Sequence, residues 1–373
     1  MKEKKLIIDV RMIHASGIGI YIQSIIPLIK KNFDLILIGK EQEISQYSWS
    51  KDIEIIKANS PFYSIDEQLE LPYKIPNGSL FWSPHYNVPI LPIKIKKRLV
   101  TIHDVFHLAF FDTLNIKQKM YAKFIMKAAT NLSGHIITVS KFSKSEIIKY
   151  TKTSPSKITV IYNGIDHIKF TKIRNGELLK EIKGKYGLPD RFILFVGNVK
   201  PHKNLKTLIK AISILQNKKA LYDYFLVIVG KKEGFITGDK DIEHLIGSLS
   251  LEPYIKFTGF VKDEDLSVIY NLASALIFPS LYEGFGFPPL EAMACGCPVV
   301  LSNAASLPEV CGSAALYCNP FDYQDISSKI KTIIENASIR EELIKKGYLQ
   351  AKKYSWEKCA EETTAVINNL LNN

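Results

Sequence analysis

A chain of 373 residues exceeds one ordinary hydrophobic core, which predicts two domains of about 150 to 200 residues each. Its 46% hydrophobic content is that of a soluble globular protein, and no apolar run approaches the roughly 18 residues that cross a bilayer. The net charge of +12 is lopsided, with 23 Lys and Arg against 13 acids in residues 1–165 but 26 against 24 in residues 166–373. The basic first half suits phosphate-bearing partners or an anionic membrane surface, and a Lys-rich face that serves only solubility fits the same count.

The opening MKEKKLIIDV has the charges of a signal peptide, but Asp9 and Arg11 confine its apolar part to four residues, so it reads as a first strand. The five cysteines, Cys295, Cys297, Cys311, Cys318 and Cys359, show no metal-ligand spacing, and their odd number favours reduced thiols in a cytosolic protein.

In chain order, strand Leu6 to Val10 leads into a loop holding Gly17 and Gly19, then a helix from about Tyr21 to Lys30. A lone G-x-G could admit a diphosphate or be a plain turn; as a dinucleotide fingerprint it fails, because Ile22 stands at the third glycine position. Strand-like runs follow at Leu35 to Ile38, Ile53 to Ile56, Leu80 to Trp82, Arg98 to Ile102, His135 to Val139 and Ile158 to Tyr162. Helical stretches between them predict a parallel sheet wrapped by helices. Ligands of such sheets bind beyond the carboxyl ends of strands, where His85 and the pair His103-Asp104 fall. His103 could act as donor or base, or simply cap the strand end beside Asp104. The helix Asn115 to Ala129 carries Lys119, Lys123 and Lys127 beside Met120, Phe124 and Ala128, a pattern of a membrane surface helix or of a solvated lysine row.

The interdomain link is placed near residue 168. A second alternating series runs through Phe192 to Gly197, Phe225 to Gly230, Ile255 to Thr258, Ser274 to Phe278 and Pro298 to Leu301. After its first strand, the loop with Asn198, His202 and Lys203 feeds a helix, where a Lys could clamp phosphate or sit on the surface. Gly259-Phe260-Val261 could meet a planar base through its backbone. Asp263-Glu264-Asp265 resembles a metal-binding D-x-D but opens an amphipathic helix, where acids favour the dipole, so no metal is expected there. Glu283 and Glu291 then stand eight positions apart around Phe285, Gly286 and Phe287. That separation spans about 12 Å if helical, enough to bracket two ends of one ligand. Acids and glycines also occur at ordinary helix starts.

With Gly17-Ile18-Gly19, His103-Asp104, Asn163-Gly164-Ile165-Asp166, Lys203-Asn204 and the Glu283 to Glu291 element in this order, the chain resembles a retaining glycosyltransferase of family 4. The resemblance runs from Leu6 to Trp356. It implies the α/β GT-B architecture, two tandem Rossmann-like parallel-sheet domains facing an interdomain cleft. The boundaries would be an acceptor domain of residues 1–167, a donor domain of residues 168–355, and a final helix of residues 356–373 crossing back to the first. By the same resemblance Glu283 would contact hydroxyls of the transferred sugar and Glu291 the ribose. Asn198, Val261 and the backbone of Phe285, Gly286 and Phe287 would hold the donor. Lys203 would neutralise the diphosphate with the Gly17 and Gly19 loop; His103 would lie near the reacting sugar, and His85 and Asp104 toward the acceptor. Many relatives carry Arg where His202 stands, and an imidazole is largely neutral at pH 7.

The implied reaction moves a hexose, such as mannose from GDP-mannose, to a lipid-linked or surface glycan acceptor with retention, without a cofactor or essential metal. The implied partners are a nucleotide sugar, a glycan or polyprenyl-diphosphate-linked acceptor and an anionic membrane at the inner face of the plasma membrane. Nucleic acid is disfavoured by the absence of an aromatic-interleaved basic strip. Alternatives are a GT-B sugar-nucleotide epimerase, a phosphorylase, or a non-catalytic nucleotide-sugar-binding protein.

Overall fold

The computed structural model describes residues 5–110, 115–217, 223–230 and 241–372. The chain gathers into two compact units: the first runs through Gly164 and resumes at Ser355, and the second is Ile165–Tyr354.

The first unit holds β1 (Lys5–Asp9), β2 (Asp34–Gly39), β3 (Glu54–Lys57), β4 (Leu80–Ser83), β5 (Arg98–Ile102), β6 (His135–Thr138) and β7 (Ile158–Val160). They form one seven-stranded parallel sheet in the order β3-β2-β1-β4-β5-β6-β7. The runs LIID, LFW and LVTI are apolar almost without alternation because helices cover both faces. Leu6 faces Leu35 on β2 and Leu80 on β4, and all three are buried.

The helix over this sheet is Ser16–Ile29, so Gly17 and Gly19 lie in its first turn rather than in a loop. Tyr21, Ile22, Ile25, Ile26 and Ile29 recur at helical spacing and are fully buried. Burying so many large side chains outweighs the roughly 1 kcal/mol that each glycine costs. The unit is completed by Trp356–Asn372, which packs along this helix with the Trp356 ring 6.1 Å from that of Tyr21. Gly164 makes the join possible: a Cβ there would lie 2.1 Å from the Trp356 backbone nitrogen. A helix the sequence pattern does not announce, Ile65–Lys74, is started by Ser64, whose hydroxyl accepts from the Glu67 amide at 3.1 Å. Pro72 inside it disguises the period.

In the second unit β8 (Phe192–Val196), β9 (Phe225–Val229), β10 (Ile255–Gly259), β11 (Ala275–Phe278), β12 (Val299–Ser302) and β13 (Leu316–Cys318) form a parallel sheet in the order β10-β9-β8-β11-β12-β13. This is the doubly wound order of a nucleotide-binding fold. The strand β13 is absent from the sequence reading, since three residues are too few to show a period. Helices Leu205–Asn217 and Tyr323–Glu335 bury Leu208, Ile212, Ile326 and Ile330 against Ile193, Phe195 and Ile277. In both sheets the strand order reverses beside the first strand, between β1 and β4 and between β8 and β11. A crevice therefore opens at their carboxyl ends.

Gly164→Ala should lower stability by about 1 to 3 kcal/mol, because the clash is with backbone and cannot be relieved by a rotamer. Urea unfolding followed by circular dichroism would check it, and an unchanged midpoint would refute the close approach.

Candidate active site

At the carboxyl end of β8 the chain passes through half-buried Asn198 into a single tight turn, Pro201–Lys203. Asn204 follows in the left-handed region at φ 62°, and its side-chain amide donates to the Pro279 and Pro320 carbonyls at 3.0 and 2.6 Å. The Leu281 amide and the Ser280 hydroxyl both donate to the His202 carbonyl, at 2.8 and 3.1 Å. Three loops are thereby tied together, and Lys203 is brought onto Glu283. Its Nζ lies 2.6 Å from Glu283 Oε1, with the two side chains 17% and 13% exposed. The ammonium also stands 5.2 Å from the centre of the Phe278 ring, whose negative face favours a cation.

The loop beyond Glu283 is held from below by Ser306, whose hydroxyl bonds to the carbonyls of Glu283 and Phe285 at 2.9 and 3.0 Å. Gly286 adopts φ 100°, a conformation costly for any other residue, and so turns the chain into the helix Phe287–Ala294 with Pro288 and Pro289 in its first turn. Glu291 on that helix is only 6% exposed and accepts a 2.9 Å bond from the Tyr270 hydroxyl. Burial raises its carboxyl to about 7, although the Tyr270 bond and Lys169 pull it down. Val261 is buried just past β10. The acids 263–265 do open the helix Asp263–Leu272, where Asp265 accepts from Lys185 at 2.6 Å and Tyr186 at 2.7 Å. Among the described residues no three His, Cys, Asp or Glu side chains converge as a metal site.

In the first unit His103 follows β5 with its Nε2 3.0 Å from the Pro84 carbonyl and its ring edge-on to Tyr21 at 5.0 Å. Burial pushes the imidazole down to about 4, against the smaller upward pulls of Pro84 and Asp104. The ring is therefore neutral near pH 7, with its proton on Nε2 and an acceptor at Nδ1. Asp104 accepts from the Phe106 amide at 2.9 Å and so starts the short helix Phe106–Ala109. His85 is fully buried, 3.2 Å from Asp9.

Sequence reasoning missed what surrounds His85. Arg11 grips both oxygens of Asp9, at 2.9 and 2.7 Å, and reaches Glu67 at 2.6 Å. Asn87 donates to the same Glu67 oxygen at 2.6 Å and accepts from Tyr121 at 2.7 Å. Burial alone would raise the Asp9 carboxyl, but Arg11 and then His85 hold it well below its ordinary range. The available signal was an acid and an Arg two positions apart at the end of an apolar strand.

A family model of group 1 glycosyl transferases matches residues 180–350, and one of glycosyltransferase family 4 matches residues 77–169. The O-antigen chain mannosyltransferase B of Escherichia coli is 34% identical over 284 residues, which are 74% of this chain and 71% of that protein. The chain belongs to glycosyltransferase family 4. The O-antigen chain mannosyltransferase RfbU of Salmonella typhimurium is 32% identical over 272 residues, covering 73% of this chain and 69% of its own. Anabaena HepE, solved in complex with UDP-glucose, matches this glycosyltransferase with a TM-score of 0.80 at 16% identity, over 98% of this chain and 99% of that one. The fold is GT-B.

A carboxyl whose folded value is raised, like that of Glu291, contributes stability that is complete below about 4.5 and lost as pH rises through about 7. The melting temperature of the transferase should therefore fall by several degrees between pH 5 and pH 8, and Glu291→Gln should flatten that slope. Equal slopes by calorimetry would show that Glu291 does not titrate in this window.

Proposed function

We propose that the transferase moves a mannosyl unit from GDP-mannose, with retention of configuration, to a glycan carried on a polyprenyl diphosphate at the inner face of a membrane. The observation that carries the reading is the 2.6 Å Lys203–Glu283 pair at the carboxyl ends of β8 and β11. The relatives named mannosyltransferases of O-antigen chains support the choice of sugar. An incoming diphosphate competes for the Lys203 ammonium and frees Glu283 to accept bonds from hydroxyls of the transferred sugar. The leaving diphosphate gathers negative charge as its bond to the anomeric carbon breaks, and the Lys203 ammonium stabilises it. The acceptor hydroxyl attacks from the same face and passes its proton to the departing phosphate oxygen. Neutral His103 serves as a hydroxyl partner through Nδ1 rather than as a cation.

Support for the membrane comes from the helix Ile116–Leu132, which contains no acid. Its inner face buries Ala122, Ile125, Met126 and Ala129, while Ile116, Met120 and Phe124 are exposed between Lys117 and Lys123. An outward apolar stripe with lysines on both flanks suits anionic lipid.

Purified enzyme offered GDP- and UDP-sugars with a polyprenyl-diphosphate glycan should consume GDP-mannose and form an α-linked product. Glu283→Gln should cut kcat by about a hundredfold or more while leaving GDP affinity within a few-fold. Inverted product, or no transfer from any donor, would overturn the reading. Separately, Lys117→Glu with Lys123→Glu should weaken cosedimentation with phosphatidylglycerol vesicles about tenfold or more; unchanged binding would remove this helix from the membrane account.

A further inference from the structure

Beyond the carboxyl ends of β4 and β5 the first unit gathers aromatic rings that no step of the proposed transfer uses. Tyr63 and Tyr86 lie nearly parallel, 24° apart with centroids at 6.4 Å and hydroxyls at 3.3 Å. Tyr121 meets Tyr63 edge-on at 5.8 Å, and His107 meets Tyr86 at 6.0 Å. An ordinary satellite core would hide such rings, yet Tyr63 is 49% exposed.

Its backbone is also in the left-handed region at φ 62°, which is costly for a bulky residue. That conformation is enforced by Glu67, which accepts from the Tyr63 amide at 2.8 Å. Glu67 is in turn fixed by Arg11 and Asn87, and Asn87 by Tyr121, so the orientation of two rings is set from below by a buried ionic network. Buried charges are a poor way to gain stability but an effective way to hold a surface in one geometry. Arg11 Nη1 is buried without a hydrogen-bond partner, and the guanidinium lies 5.2 Å from the centre of the Phe62 ring.

We propose that Tyr63, Tyr86, Tyr121 and His107 form the platform on which an uncharged pyranose of the acceptor glycan docks. The chemistry fits on three counts. The C–H face of a pyranose carries slight positive charge and stacks on the negative face of an aromatic ring. Paired tyrosine hydroxyls at 3.3 Å can each exchange bonds with sugar hydroxyls. Beneath the rings two carboxylates, Asp9 and Glu67, oppose one guanidinium, so phosphate is disfavoured and a neutral sugar is preferred. Within the first unit the platform is joined to His103 and Asp104. His103 bonds to Pro84 in the loop that carries Tyr86, and Asp104 starts the helix that carries His107.

The assignment rests on the proposed transfer to a glycan, but its test can be read separately. The probe is an α-linked mannotriose, followed by saturation-transfer NMR on the full chain, with the acceptor KM measured in the transfer assay. Transfer of saturation from tyrosine ring protons to sugar C–H protons is expected in the wild type. Tyr63→Asn, chosen because Asn tolerates the left-handed backbone, should weaken mannotriose binding and raise the acceptor KM about tenfold, with the GDP-mannose KM unchanged. Tyr86→Phe should keep the stacking and lose only a few-fold. No saturation transfer in the wild type overturns the platform, as does an unchanged acceptor KM in a Tyr63→Asn protein of normal melting temperature. Loss of binding to phosphatidylglycerol vesicles with mannotriose affinity intact would also overturn it, by assigning the rings to lipid. Turnover absent with every donor would instead refute the transfer, leaving the NMR result to judge the platform.

Discussion

Reversal of strand order beside the first strand of each sheet is the constraint on which the rest depends. Two loops that leave adjacent strands in opposite directions cannot cover the space between them, so backbone and side chains there must find partners across the gap. In the second unit Asn204 performs this task by bonding to two carbonyls from other loops, and the Lys203–Glu283 pair then spans the opening. In the first unit Asp9 and Arg11 leave β1 while His85 and Asn87 leave β4, and Glu67 joins them from a neighbouring helix.

The two crevices solve the same problem with different electrostatics. Lys203 and Glu283 keep partial contact with water, so their attraction is moderated and either partner can be drawn to a charged ligand at small cost. Arg11 is wedged between two buried carboxylates, where removing any member would strand a charge. One arrangement is suited to exchanging partners and the other to holding a shape. Glu291 is a third case: lacking a cation in contact, it takes up a proton near neutral pH instead.

Strands were legible in the sequence because parallel sheets bury both faces, which writes runs such as LIID and FILFV plainly into the chain. The loop from Glu283 to Glu291 was legible by its glycines and its paired acids. Its consequences were not. Tyr270, the partner of Glu291, lies on a separate helix, and that pairing exists only once Asp263–Leu272 packs against Phe287–Ala294. Asp9 and Arg11 registered merely as interruptions of an apolar run, because Glu67 sits on a helix broken in pattern by Pro72. Likewise the row of Met120, Phe124 and lysines was legible as a pattern, but that it stays exposed shows only in the structure, where the opposite face, with Ile125 and Met126, is the buried one.

The return of Trp356–Asn372 to the first unit has a temporal meaning. Chains are synthesised from the amino end, and domains ordinarily fold in that order. Here the Ile165–Tyr354 unit is continuous and has all its strands before Trp356 is made. The helix Ser16–Ile29 must wait for its packing partner until nearly the whole chain has emerged. The later-made half is thus equipped to finish folding first, and the face of Ser16–Ile29 that Trp356–Asn372 covers is the surface a chaperone would meet during synthesis.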